Sequence, residues 1–240
     1  MRVLLAWKCR SMGVFLKTAI LAVATALAAL AAALPAEATI ISVTNFSFET
    51  LPAGSLPNGC GTNCFYSVDA IPGWTNAGDS GQFQPGPPAT VTYFDTLSDG
   101  PTNAYSNGGD ITQIVTTVQV GAIYSLLVDI GNRFDQSEAG SANLLVNGNL
   151  YAGFFLNPPL EGGWGTEEVL YTGLAADAGQ PLTILLRSSG AQGNFDNIRL
   201  TSAIPEPSTL ALFGAGLVSL LAMRRRRMSA AGSPIAIRHI

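Results

Sequence analysis

Between Thr39 and Ala203 the chain contains no histidine and no lysine, and only three arginines, Arg133, Arg187 and Arg199. The single histidine of the protein, His239, is the residue before the last. Without an imidazole in this segment there is no Ser-His or Cys-His relay and none of the usual zinc hydrolase sites. Fourteen acidic residues face the three arginines, a formal balance of 3 − 14 = −11. The whole chain carries only −4, because most of its basic residues lie near its two ends. A domain this acidic has no electrostatic footing on a phosphate backbone, which excludes nucleic acid as a partner. Divalent cations and neutral sugars remain open. A long 3.6-residue periodicity is also missing from this segment, so a helical domain is excluded.

Cysteine is scarce: Cys9, Cys60 and Cys64. Cys9 falls within the first 38 residues, which read as a signal peptide, and this leaves Cys60 and Cys64 as a pair. Two readings stand, a short disulfide loop in an oxidising compartment or a metal site. The metal reading needs more nitrogen or sulfur ligands than the segment offers. A loop this small, closed over Gly61-Thr62-Asn63, contributes roughly 2 kcal/mol if unstrained.

The two ends are apolar in different ways. Arg2, Lys8, Arg10 and Lys17 precede an Ala- and Leu-rich run from Thr18 to Leu34, and Ala36-Glu37-Ala38 supplies small-x-small spacing. This pattern predicts a signal peptide over 1–38, cut by signal peptidase before Thr39, with a retained membrane anchor as the alternative. At the other end, Thr209 to Met223 is apolar or small and runs directly into Arg224, Arg225, Arg226 and Arg227. Counted from Ile204, twenty helical residues span about 30 Å, enough for the hydrocarbon core. The arginines are costly to translocate and should stay cytoplasmic, leaving the domain outside.

Pro205-Glu206-Pro207, the apolar run and the arginine cluster occur in the order of the PEP-CTERM sorting signal, which residues 204–227 resemble. That resemblance implies an exported protein of a Gram-negative bacterium, held in the inner membrane and cut by an exosortase near Pro205, Glu206 and Pro207. It also implies final placement at the cell surface or outside the cell. Such tails usually stop soon after the basic cluster; here Met228 to Ile240 continue for thirteen residues, expected as a disordered cytoplasmic tail.

Residues 39–203 are long enough for one domain with a core of its own. Short β-branched or alternating runs between Gly, Asn and Asp predict strands near 41–48, 89–94, 111–120, 123–130, 142–146, 167–171, 181–187 and 195–201. Asn147-Gly148 predicts a type I′ hairpin turn, and Gly121 a turn between two strands. Phe46 and Phe48 read as the buried side of the first strand. The expected fold is therefore all-β, an antiparallel sandwich.

Several stretches, in order, resemble the galactose-binding-like jelly roll of many carbohydrate-binding modules. They are Asn45-Phe46-Ser47-Phe48-Glu49, Pro72-Gly73-Trp74, Ile111-Thr112-Gln113, Val120 to Ile130, and Asn194-Phe195-Asp196-Asn197-Ile198-Arg199-Leu200. The resemblance implies a structural calcium held by Glu49 and Asp196, with backbone carbonyls as further oxygen ligands; ordinary solvated carboxylates at a sheet edge are the plain alternative. It also implies extracellular polysaccharide as a partner. Trp164, Tyr151 and Arg133 are the candidate ligand-binding residues, whereas Trp74 reads as core. The acidic pairs Glu167/Glu168 and Asp135/Glu138 are nominal glycosidase candidates, but neighbouring strand residues point to opposite faces. The expectation is a noncatalytic surface or matrix protein. The alternatives are an adhesive matrix protein that binds no sugar, and a glycan-active enzyme.

Overall fold

The computed structural model describes residues 38–68, 70–86, 90–135, 140–189 and 191–205, together with Gly216, Ser219 and Leu220. The chain divides into two units, and Glu37–Ile204 carries every element discussed below. The signal segment, Glu206, Pro207, Arg224 to Arg227 and the tail lie outside the described residues, as does most of the apolar run before the arginines. Among the described residues no helix is long and apolar enough to cross a membrane.

The strands, in chain order, are β1 (Ala38–Ile41), β2 (Asn58–Gly61), β3 (Cys64–Tyr66), β4 (Thr75–Ala77), β5 (Ser80–Pro85), β6 (Asn103–Ser106) and β7 (Asp110–Thr117). They continue with β8 (Ile123–Gly131), β9 (Ser141–Val146), β10 (Asn149–Ala152), β11 (Phe154–Phe155), β12 (Trp164–Thr172), β13 (Pro181–Arg187) and β14 (Gly193–Ala203). A single helical turn, α1 (Thr90–Tyr93), interrupts the connection from β5 to β6. Sheet one runs β11-β12-β8-β14-β6-β5-β3-β2, with β1 on the far half of β14; sheet two runs β10-β9-β13-β7-β4. All pairs are antiparallel. The result is the expected jelly-roll sandwich.

Long strands follow the β-branched and Leu-rich runs closely, and β13 coincides with the predicted 181–187. The Asn147-Gly148 turn has both residues at positive φ, 48° and 79°, which a type I′ turn requires. Cys60 and Cys64 form a disulfide across the β2–β3 hairpin, with their Cα atoms 4.9 Å apart. Two predicted strands are corrected. Residues 41–48 leave β1 at Ile41 and turn, with Asn45 and Phe48 at φ 50° and 57°; Phe48 is buried while Phe46 is exposed, so no period-2 strand exists there. Of the predicted strand 89–94, residues 90–94 form α1 and its exit, and Ala89 lies outside the described residues. Asp196 and Asn197, which break the alternation of the last strand, mark a bulge: the β14–β8 register shifts between Asp196 and Arg199.

The core between the sheets is Leu126, Val128, Ile130, Leu144, Val146, Ile184, Leu186, Phe195 and their neighbours, all essentially fully buried. Each such side chain contributes about 1.5–3 kcal/mol of burial. Trp74 belongs to this core, as read from the sequence, and packs on Phe48 with ring centroids 5.4 Å apart.

Glu167 is the exception on the inner face. It sits opposite Val128 in the ladder, 3% exposed, and accepts one hydrogen bond from the Ala142 N–H at 3.3 Å. Glu168 faces the other way and accepts from the Ser125 hydroxyl at 2.8 Å, so the two neighbours do not form a carboxylate pair. Burial pushes the Glu167 carboxyl up to about 7, against the smaller opposing effect of the Ala142 N–H. A group raised on folding holds its proton in the native state after the unfolded chain has lost it, so stability is complete below the unfolded value. It is lost as pH rises through the folded one. The domain's melting temperature should therefore fall by roughly 5–10 °C between about pH 4.5 and 7 from this group alone. Glu167→Gln should remove that share of the slope in a pH series of thermal melts, and an unchanged slope would show that the carboxylate is solvated.

Candidate functional site

Strand alternation sorts sheet one into two faces. Ala104, Phe195 and Ile130 are paired across β6, β14 and β8 and point into the sandwich. Their neighbours along each strand, Asn103, Tyr105, Asn194, Asp196, Asp129 and Gly131, therefore point outward. An outward face this rich in amides and carboxylates would ordinarily be wet, yet most of these residues are buried. The segment 93–102, which leaves α1, crosses the face as a strap and covers it.

The strap is held by contacts along its length. Phe94 is fully buried and packs on the half-buried Trp164 with ring centroids 5.0 Å apart. The Trp164 indole N–H donates to the Thr96 carbonyl at 2.9 Å, and the Asp95 N–H to the Gly162 carbonyl at 2.8 Å. Ser98 donates to Asp129 Oδ2 at 2.8 Å, the Asp99 N–H to Asp196 Oδ2 at 2.8 Å, and the Thr102 N–H to Glu49 Oε1 at 2.9 Å. Gly131 makes the close fit possible, since a Cβ there would lie 2.9 Å from Phe94 and 3.0 Å from Trp164. Phe83, Phe94, Tyr105 and Cys64 form a second hydrophobic cluster beneath and beside the strap, with Tyr66, Tyr93, Leu97 and Trp164 at its margin.

Asp196 and Glu49, brought together from the two ends of the domain, meet at one end of the strap. Asp196 is 1% exposed and Glu49 lies at the exposed rim. Burial pushes Asp196 up to about 8, the charges of Asp99 and Glu49 add to that, and the N–H groups of Asp99 and Asn197 oppose it. Glu49 is also raised, first by burial, with the Thr102 N–H opposing and Asp99 adding. The charges of Asp99 and Glu49 thus bear on Asp196, and that of Asp99 on Glu49; carboxylate oxygens are the ligands calcium prefers. Among the described residues no group of three or more His, Cys, Asp or Glu is arranged to hold a metal. A calcium ion would have to complete its shell with backbone carbonyls and water.

Asp129 has a different role. Its two oxygens accept from Ser98, Asn197, Thr166 and Arg199 at 2.7–2.9 Å. That carboxylate is satisfied, and it ties the strap to three strands of the sheet.

The other predicted residues divide. Arg133 lies at the far side of the same face, 7% exposed, its guanidinium over the rings of Tyr93 (4.3 Å) and Phe83 (5.4 Å). It is bound bidentately by Asp135, at 2.8 and 2.6 Å, which takes Asp135 out of any catalytic pair; Glu138 lies outside the described residues. Trp164 reaches the site, though as the strap's anchor and not as a free platform. Tyr151 does not: it is on β10 of sheet two, packed on Tyr171 with centroids 4.5 Å apart. Sequence reasoning missed Asp99, Asn103 and Asp129, whose only local signal is a polar residue where a strand or turn tolerates one.

Cutting the Asp129 tie tests this arrangement. Asp129→Asn should cost about 1–3 kcal/mol, because Arg199 loses its partner and the Ser98 and Asn197 bonds weaken. It should also speed amide hydrogen exchange at residues 95–99 by at least tenfold. Unchanged exchange there would mean that the aromatic packing alone secures the strap.

Comparison with known proteins follows the same division of the chain. The family described as HpiC1 cyclase, HpiC1-like, matches residues 39–201, and the PEP-CTERM protein-sorting motif matches residues 203–227. A search of curated proteins finds no match. Among solved structures, the chain is similar to the Stig cyclase Fisc from Fischerella sp. TAU in complex with (3Z)-3-(1-methyl-2-pyrrolidinylidene)-3H-indole. That similarity is 23% identity and a TM-score of 0.58, over 71% of this chain and 100% of that one. An apo-form cyclase from Fischerella sp. gives 20% identity and a TM-score of 0.57, over 70% and 98%. The carbohydrate-binding module TmCBM61, solved with beta-1,4-galactotriose, gives 14% and 0.39, over 68% and 98%.

Proposed function

The chain belongs to the HpiC1-like family, and from that premise we propose that it is a noncatalytic member associating with extracellular polysaccharide after exosortase processing. The PEP-CTERM motif at residues 203–227 implies export and membrane-anchored sorting in a Gram-negative bacterium. Exosortase and, before it, signal peptidase are the partners this reading requires, and the cell surface or the extracellular space is its destination. The observation that supports polysaccharide binding is the aromatic outer face of sheet one. Phe83 and Tyr93 flank the Arg133 guanidinium, whose charge Asp135 neutralises, and Tyr105 and Trp164 belong to the same aromatic cluster. With the strap displaced, this aromatic patch around a neutralised arginine would offer stacking area, and the acids beside it would repel phosphates and nucleic acid, which suits neutral sugar rings.

Calcium is the cofactor in this reading. Glu49 and Asp196 would hold it, and its charge would relieve the repulsion among Glu49, Asp99 and Asp196. A cation bound to the folded state alone stabilises by about 2.7 kcal/mol at a hundred times its dissociation constant.

A second reading, an acid-catalysed cyclase, draws on the family membership and on Asp196, a buried carboxyl that keeps its proton near neutral pH. The Fischerella cyclases have been solved with indole compounds, among them 4-(1H-Indol-3-yl)butan-2-one. Both Asp196 oxygens accept backbone N–H bonds at 2.8 Å, from Asp99 and Asn197, an arrangement suited to holding the strap more than to delivering a proton.

One pair of measurements tests the proposal. The processed protein should bind the producing organism's polysaccharide in calcium and lose most of that binding in chelator, with a melting temperature that rises on adding calcium. Binding of the indolyl ketone with no polysaccharide binding would favour the cyclase. A melting temperature indifferent to calcium would remove the metal from either reading.

A further inference from the structure

The outward face of sheet one holds two amides that the fold buries without satisfying. Asn103, on β6, is 1% exposed, and neither its Oδ1 nor its Nδ2 has a hydrogen-bond partner. Asn194, on β14, is fully buried, and its Nδ2 has none. Because Asn194 is paired with Tyr105 and Phe83 with Asn103, the two amides are diagonal neighbours on one face, two residues apart along the ladder. Phe83 lies directly beside Asn103, and Tyr105 directly beside Asn194. A buried amide group without a partner costs about 1–3 kcal/mol, and native structures tolerate few of them without a role.

The surrounding bonds fix the orientation of these amides. Asn194 Oδ1 accepts from Gln192 Nε2 at 3.3 Å, and Gln192 Oε1 in turn accepts from Arg133. Arg133 is itself held by Asp135 and sandwiched near Phe83 and Tyr93. The chain Asp135–Arg133–Gln192–Asn194 therefore commits the Asn194 carbonyl and leaves its NH2 group outward. At Asn103 both a donor and an acceptor remain. The unspent bonding is neutral: amide donors and one amide acceptor, bordered by two aromatic rings.

We propose that Asn103 and Asn194 form the hydrogen-bonding floor of a binding site for a neutral sugar ring, beneath the 93–102 strap and against Phe83 and Tyr105. Two adjacent hydroxyls of one ring, each able to donate and accept, complement an amide that offers both and an NH2 group beside it. An anionic residue is disfavoured by the domain's −11 balance and by the absence of an unpaired arginine on this face. The inference rests on the polysaccharide-binding reading and assigns it a place. Since the strap covers the face, the ring enters only when the ties at Thr96, Ser98 and Asp99 open, so binding is slow to form and protects the strap's amides once formed.

The test uses the full chain purified in detergent, titrated with hexasaccharide-sized neutral fragments of the producing organism's polysaccharide, with cellohexaose alongside. Trp164, packed on Phe94 at the edge of the site, provides the fluorescence signal. Asn103→Ala and Asn194→Ala should each weaken binding at least tenfold, while Ile114→Ala, on the exposed side of sheet two, should bind as the wild type does. If Asn103→Ala does not fold, the similarly sized Asn103→Leu replaces it; this variant fills the space, lacks both the donor and the acceptor, and should show the same loss. Ligand should slow amide exchange across residues 94–99. Fragment binding that survives all the amide variants would overturn this site and leave the polysaccharide reading standing. No binding by the wild type to fragments or to whole polysaccharide would remove both.

Discussion

The outer face of sheet one carries two acidic side chains, Asp129 and Asp196, in the middle of the widest part of the fold. A buried carboxylate needs donors; the sheet supplies some, from Asn197, Thr166 and Arg199, and leaves one oxygen of Asp196 and part of Asp129 to be met from above. The strap answers this need. The Ser98 hydroxyl and the Asp99 N–H reach down to the two acids. Its aromatic member, Phe94, fills the space that Gly131 leaves over β8. From that requirement the rest follows: the interruption of the β5–β6 connection by α1, the second hydrophobic cluster, and the placement of Arg133 against Tyr93. Without the strap this face would be an open, acidic sheet.

Strands with strong internal patterning were legible. β8, β9, β12 and β13 are long β-branched or Leu-rich runs bounded by turn residues, and Asn147-Gly148 announces its hairpin through the positive φ that both residues accept. The short strands β2 to β6 were not, because their residues (Asn-Gly-Cys-Gly, Thr-Asn-Ala, Asn-Ala-Tyr-Ser) have little β-propensity and are held by tertiary pairing. Thr90-Val91-Thr92 misleads in the opposite direction: a β-branched run whose local preference is overridden in α1. At Asn45 to Phe48 the alternation of aromatics was genuine in sequence, but Asn45 and Phe48 take left-handed conformations, and the turn buries Phe48 where a strand would have placed Phe46 beside it.

The site was legible in part, for a physical reason. Glu49 and Asp196 lie at opposite ends of the domain and only the resemblance to a known pattern links them; once folded, the charge of Glu49 helps to raise Asp196. Arg133 and Trp164 were found as unusual residues, a lone arginine and a glycine-flanked tryptophan. Tyr151 looked equivalent, yet β10 belongs to the other sheet. No local feature distinguishes Asp99, Asn103 or Asp129 from a dozen other polar residues in turns and edges. Their importance comes from being buried on a face that strand alternation alone would leave in water, and a single sequence carries no trace of what will cover it.

The same carboxyl sits at the centre of both functional readings, and its charge state separates them. With the proton retained, Asp196 is a neutral acid, as the cyclase reading requires. With calcium bound, the ion holds it as a carboxylate, and it can no longer act as an acid. The two states exclude each other at one residue, so occupancy of the Glu49–Asp196 pair decides what the site is able to do. Extracellular modules bind calcium with dissociation constants of roughly 10⁻⁴–10⁻³ M, and an exported protein works outside the cell's own calcium control. The fold is shared with cyclases, but a fold does not fix the chemistry, which depends here on which partner the acid meets. In the proposed binding role, export to a compartment where a divalent cation is available is what would hold that acid charged, whereas the cyclase reading requires the same carboxyl to keep its proton.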